Sequence, residues 1–187
     1  MKKQLCLTAD IGGTNTRVAL FDNEKLLESS CMTFSNNEYD SFETVIKNYF
    51  DLVNESSVKF AGIAAAGPIQ EKSAKMTNLS WSLTERSIAS ITGAEQVGII
   101  NDLQAQGYGL TSLDKADLEP VTVGSQSANS NATRLVCGIG TGFNAAPVFN
   151  VGHKIFVPPS EAGHSQLSLT DKNYQPVFAK IGSEGSF

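Results

Sequence analysis

No G-x-x-x-x-G-K-S/T string occurs anywhere in the 187 residues, which excludes the commonest phosphate loop between a strand and a helix. Basic residues are scarce as well. There are 14 Lys and Arg against 19 Asp and Glu, a net charge of −5, and they form no basic cluster, so nucleic acid is excluded as a partner. Only three cysteines are present, Cys6, Cys31 and Cys137, far apart and without a C-x-x-C pair. They form no disulfide or zinc framework and are expected to be reduced core thiols of a cytosolic protein. Long apolar runs are missing too. None approaches the ~20 residues of a membrane helix, and the run behind Lys2 and Lys3 is broken by Thr8 and Asp10, too early for a signal peptide. The expectation is a soluble, cytoplasmic protein with no membrane partner, long enough for one good core or two small lobes.

What the chain does contain is organised around Asp10-Ile11-Gly12-Gly13-Thr14-Asn15-Thr16-Arg17. Leu5 to Ala9 before it and Val18 to Phe21 after it are apolar runs of strand length. The paired glycines therefore fall where a tight hairpin turns and where positive φ is expected. Gly12, Gly13, Thr14 and Asn15 would present backbone N–H groups and small polar side chains, the chemistry that a phosphate chain requires. Asp10 adds a carboxylate beside them, which suits a magnesium ion held partly through water. The competing reading is a Gly-rich turn in which Asp10 and Thr14 merely satisfy the backbone.

Leu26 to Phe34 is expected to give a third strand, broken by Asn36-Asn37. Phe42, Val45, Ile46, Tyr49, Phe50 and Val53 follow with 3-1-3-1-3 spacing, one apolar stripe along a helix from Tyr39 to Asn54, with Asp40 and Glu43 placed as a capping box. Val58 to Ala66 is apolar at nearly every position, as in a strand buried on both faces, and Gly67-Pro68 ends it. Thr84 caps a short helix through Ile91, with Gly93 just past its end. Gln96 to Ile100 is a further strand, and Leu103 to Leu110 a helix weakened by Gly107 and Gly109. Strand, strand, strand, helix, strand predicts an α/β lobe with a mixed sheet. The polar, aperiodic run Ser125 to Asn131 places a lobe boundary near residue 112, giving lobes of residues 1–111 and 112–187.

Asn101-Asp102 sits at the carboxyl end of a strand, where ligand crevices form in open α/β sheets. Asp102 reads either as the N-cap of the next helix or as a general base, and the two roles are compatible. A second Gly-rich hairpin runs from Arg134 to Gly138 through Ile139-Gly140-Thr141-Gly142 into Phe143 to Val151. It is not a dinucleotide fingerprint, since the third glycine would fall at Phe143 and the following residues are strand-like. In Ser160-Glu161-Ala162-Gly163-His164, the Glu and His are spaced as metal ligands could be, but no third and fourth ligands are near in sequence.

The residues from Asp10 to Arg17 resemble the first phosphate motif of the actin, hexokinase and heat-shock ATPase superfamily, and are most similar to the bacterial glucokinase family. The resemblance runs in order through Thr77-Asn78 and Trp81, Asn101-Asp102, Gly138 to Gly142 and Glu161 to His164. It implies a ribonuclease H-like, mixed-sheet lobe of the hexokinase and actin type, followed by part of a second α/β lobe. It also implies an ATP-dependent hexose kinase that phosphorylates glucose or a related hexose at the 6-hydroxyl. Asp102 would be the base; Asn101, Asp102, Glu161 and His164 would bind the sugar. Gly12, Gly13, Thr14 and Asn15 would hold ATP phosphates from one side and Gly140, Thr141 and Gly142 from the other, with Asp10 near Mg2+. Trp81 would help wall the sugar cleft, and a homodimer is a further expectation. Two departures are visible: Phe143-Asn144 stands where the family usually continues Leu-Gly, and Ala162 replaces a glycine of Glu-Gly-Gly-His. Family members are longer, and the part holding adenine has no counterpart here. The chain is therefore expected to be the amino-terminal part of such a kinase, or alternatively a non-catalytic sugar-binding or regulatory fragment of kinase ancestry.

Overall fold

The computed structural model describes residues 4–76, 79–121, 132–139, 143–152, 154–160 and 162. The chain divides into two compact units, Met1–Ala105 and Gln106–Phe187. In the first, β1 (Leu5–Ile11) turns into β2 (Asn15–Asp22), and the two pair antiparallel from Leu5 opposite Asp22 to Ile11 opposite Thr16. Leu5, Leu7, Ala9 and Ile11 alternate into the core, so Cys6, Thr8 and Asp10 point to the other face.

Two short strands, β3 (Lys25–Leu26) and β4 (Met32–Ser35), replace the single third strand expected from Leu26 to Phe34, and both pair with β2. The buried Ser30 explains the break. Its hydroxyl accepts the Leu20 N–H at 2.8 Å and donates to the Leu27 carbonyl. A side chain thus takes the place of the backbone ladder while Glu28–Ser30 makes a 3₁₀ turn.

The helix α1 (Phe42–Val53) buries the stripe read from its periodicity: Phe42, Val45, Ile46, Tyr49 and Phe50. Its cap, however, lies one residue later than expected. Ser41, not Asp40, accepts the Thr44 N–H at 3.3 Å, and the Thr44 hydroxyl accepts the Ser41 N–H at 3.3 Å. Burying Phe42 completely requires the helix to start there, and this register puts Ser41 at the cap. Asn54 ends α1 in the left-handed region, φ 55°. Tyr49 donates its hydroxyl to the Ser30 carbonyl at 3.0 Å and meets Phe34 edge-on, which fixes α1 against the sheet.

Strand β5 (Phe60–Ala65) pairs parallel to β1. It was expected to be buried on both faces, yet within this unit only Ala61, Ile63 and Ala65 are buried, and the face of Phe60, Gly62 and Ala64 is half-covered. The small strands β6 (Ile69–Gln70), β7 (Ser73–Lys75) and β8 (Ser82–Thr84) form a separate antiparallel sheet. α2 (Glu85–Thr92) is capped by Thr84 as expected, here in a reciprocal box with Ser87, and stops at Gly93 with φ 68°. β9 (Gln96–Asn101) completes the main sheet, whose order is β3-β2-β1-β5-β9 with β4 also on β2. An antiparallel meander continued by parallel strands is the mixed sheet expected of this α/β lobe.

α3 (Asp102–Gly109) begins in the first unit and ends in the second. There, β10 (Arg134–Ile139), β11 (Phe143–Val151) and β12 (Lys154–Phe156) form an antiparallel sheet. Val136, Ala146 and Val148 on these strands and Val157 just after β12 are buried. All three cysteines are free, but they are not core thiols: Cys31 and Cys137 are exposed and Cys6 is intermediate. Cys137 alternates with the buried Val136 along β10, and this alternation places it on the open face with Leu135 and Ile139. Among the described residues no helix is long and apolar enough to cross a membrane.

Candidate active site

The turn between β1 and β2 is built differently from the positive-φ hairpin read from its glycines. Neither Gly12 nor Gly13 is among the described residues with positive φ. What Gly12 supplies is space. Its N–H donates to the Asn15 carbonyl at 3.0 Å, and a Cβ there would lie 3.3 Å from that oxygen. The turn is then held from outside by Asn36. The Asn36 Nδ2 donates to the Gly12 carbonyl at 2.9 Å, its backbone N–H donates to the Thr14 carbonyl at 2.8 Å, and its Oδ1 accepts the Thr16 hydroxyl at 2.7 Å. Asn36 and Thr16 are 2% and 0% exposed. These bonds engage carbonyls and the Gly12 amide, while Gly13, Thr14 and Asn15 are exposed and their amides take no part in them. A rigid turn with outward carbonyls already satisfied is what a phosphate cradle needs.

Asp10, one residue before the end of β1, stands opposite Arg17, and its Oδ2 accepts from the Arg17 guanidinium at 3.2 Å in a largely exposed pair. Parallel pairing brings Ile11, Ala65 and Asn101 into one row across β1, β5 and β9. The carboxyl ends of β1 and β9 therefore lie on the same sheet edge, roughly 9–10 Å apart by strand spacing. Gly-Pro chemistry closes β5 next to them: the buried Asn101 donates its Nδ2 to the Gly67 carbonyl at 3.2 Å.

Capping of α3 falls to Asn101. Its Oδ1 accepts the Leu103 N–H at 2.9 Å, and its own N–H donates to the Gln104 Oε1 at 3.2 Å. Asp102, read from sequence as a candidate cap, occupies the first helical position. It gives one oxygen to the same Leu103 N–H at 2.8 Å, and its second oxygen is not needed for the cap. Burial pushes the Asp102 carboxyl above the ordinary aspartate range, the Leu103 N–H draws it back, and the charge of Asp10 pushes it up again. A carboxylate held half-buried with raised proton affinity is suited to accept a proton from a hydroxyl.

Asp102 thus feels the charge of Asp10 across β5. Among the described residues no group of three or more His, Cys, Asp and Glu gathers as a metal cage. One or two carboxylates beside a phosphate cradle nevertheless fit magnesium, which keeps its waters and takes its remaining ligands from substrate phosphates.

In the second unit, β10 and β11 pair from Arg134 opposite Val148 to Ile139 opposite Phe143, so the two strands read on either side of the second Gly-rich segment pair, with Ile139 in the strand and not in the turn. Gly140, Thr141, Gly142, Glu161 and His164, together with Thr77 and Asn78, lie outside the described residues. Trp81, expected to help wall a sugar cleft, is 5% exposed in the hydrophobic core with Met76 and Leu83. Two residues carry more of the geometry than the sequence suggests. Asn36 reads there only as a strand breaker. Asn144 reads only as a departure from Leu-Gly, yet its side chain reaches Ser160 and Ala162.

The family model described as glucokinase matches residues 7–184. A glucokinase of Chromohalobacter salexigens is 33% identical over 178 residues, 92% of this chain and 54% of that protein. Among solved structures, a glucokinase from an Antarctic psychrotroph shares 29% identity at a TM-score of 0.76, covering 92% of this chain and 54% of its own. A Balamuthia mandrillaris glucokinase in complex with glucose has the same fold, with a TM-score of 0.68 at 22% identity, over 94% of this chain and 53% of that one. The chain spans about half the length of the curated relatives it matches.

Proposed function

Because this chain belongs to the glucokinase family, we propose that it carries the base and the first phosphate turn of an ATP-dependent hexose kinase. Asp102 is the observation on which the reading rests. It stands at the start of α3 with the capping duty taken by Asn101, on the sheet edge that also carries Asp10 and the Gly12–Asn15 turn. Asp102 orients the 6-hydroxyl of glucose and takes its proton as O6 bonds to the γ-phosphorus and the bond to ADP breaks. Asn101, whose side chain bonds the Gly67 carbonyl, the Leu103 N–H and the Asp102 carboxyl, keeps acceptor capacity for a sugar hydroxyl. Glu161 and His164 add further hydroxyl contacts, and Gly140, Thr141 and Gly142 further phosphate contacts. Asp10 would hold Mg2+, which when bound neutralises phosphate charge. The functional division into lobes of residues 1–111 and 112–187, a cytoplasmic location and a homodimer belong to the same reading.

A coupled assay of ADP release with ATP and glucose tests it. Turnover is expected in the native chain, and Asp102→Asn should lower it by roughly 10²- to 10⁴-fold with glucose binding kept within a few-fold. Absence of ADP release with every hexose overturns the kinase reading, and undiminished turnover in Asp102→Asn overturns the base assignment. The alternative is a sugar-binding or regulatory module of kinase ancestry without catalysis. Glucose binding without ADP release would establish that alternative.

A further inference from the structure

The side chain that departs from Leu-Gly is also the one that joins two parts of the second unit. Asn144 lies on β11 opposite Gly138. Its Nδ2 donates to the Ser160 carbonyl at 2.9 Å, and its Oδ1 accepts both the Ala145 N–H and the Ala162 N–H at 2.9 Å. The Ser160 hydroxyl donates to the Ala145 carbonyl and adds a bond between the same two segments. One carboxamide therefore uses a donor and two acceptor positions to hold the backbone on both sides of residue 161. No other residue type of that length does the same. Glycine makes none of these bonds. Aspartate keeps the acceptors but turns an oxygen toward the Ser160 carbonyl. The second departure, Ala162, is itself one of the groups held.

We propose that Asn144 is a positioning residue that pins Ser160 and Ala162 to the strand leaving the second hairpin and, by ordering the backbone there, sets the affinity for a sugar. The effect on sugar affinity rests on the kinase reading; the tether does not. Without the tether, Ser160 and Ala162 lose their two bonds to the Asn144 side chain, and a sugar that binds there must order the segment itself.

The test compares native chain with Asn144→Ala by amide hydrogen exchange and by glucose titration. Exchange at the Ala162 amide is expected to accelerate at least about tenfold while Val136 and Val148 amides are unchanged, because only the former is bonded by the deleted group. Glucose affinity is expected to fall about tenfold, with the KM for ATP changed less than about twofold. Asn144→Asp, which keeps the acceptor for Ala162, should fall between the two and serves in its place if Asn144→Ala does not fold. Unchanged Ala162 exchange, or unchanged glucose affinity with accelerated exchange, overturns the proposal. A native chain that binds no hexose fails the kinase reading instead, and the exchange result then decides the tether alone.

Discussion

Asn36→Ala tests whether the Gly12–Asn15 turn is held by a buried side chain or by its own glycines. The substitution removes the acceptor of the Thr16 hydroxyl, which is 0% exposed, and the donor to the Gly12 carbonyl. A buried polar group left without its partner costs about 1–3 kcal/mol. The Thr16 hydroxyl should carry most of this, since Gly12 is only half-buried. The two losses together come to about 2–4 kcal/mol, or a fall in Tm of roughly 5–15 °C for a chain of this size. Thr16→Val removes the orphaned hydroxyl at nearly constant shape, so the double variant should recover part of the loss. A double-mutant cycle by chemical denaturation should give a coupling of at least about 1 kcal/mol. Under the kinase reading the loosened turn also raises the KM for ATP several-fold. Additive losses within about 0.5 kcal/mol would refute the reasoning, because they would mean that Asn36 and Thr16 do not act as one unit.

Asp102 has its folded-state proton affinity raised, chiefly by burial. The folded chain therefore binds this proton more tightly than the unfolded chain, and stability is lost as pH rises through the window between the two values. Asp102→Asn should consequently be more stable than the native chain at pH 7, an advantage that vanishes below about pH 4; denaturation at both pH values checks the sign. In α3 two glycines make opposite predictions. Gly107→Ala gains about 1 kcal/mol of helix propensity, but its Cβ would stand 2.8 Å from a Val157 methyl and 3.2 Å from a Val148 methyl. Overpacking of about 1–3 kcal/mol should win, lowering Tm. Gly109 has φ −64° and nothing within 4 Å of a built Cβ, so Gly109→Ala should stabilise by about 0.5–1 kcal/mol.

Elements whose signals repeat within a turn of chain are legible without a structure. The stripe from Phe42 to Val53 specifies α1 and the side that it buries, Thr84 and Gly93 bracket α2, and the apolar runs around Gly12-Gly13 specify a hairpin. Asn101-Asp102 is legible as a polar pair at a strand end. Where several short polar residues compete, local pattern is ambiguous: Asp40 and Ser41 both satisfy a capping rule, and only complete burial of Phe42 selects Ser41. The same ambiguity made Asp102 look like the cap that Asn101 provides.

The amino-acid sequence by itself determined the mixed α/β order, the two Gly-rich hairpins and the acidic residue at the end of β9, because hydrophobic period and turn chemistry act over a few residues. Tertiary structure alone decided which carboxamides tie distant parts of the chain together. Asn36 meets Gly12 across 24 positions, Asn101 meets Gly67 across 34, and Asn144 meets Ala162 across 18. A carboxamide finds such partners only after the strands have closed, since its hydrogen bonds depend on where the backbone passes and not on what stands beside it in the chain.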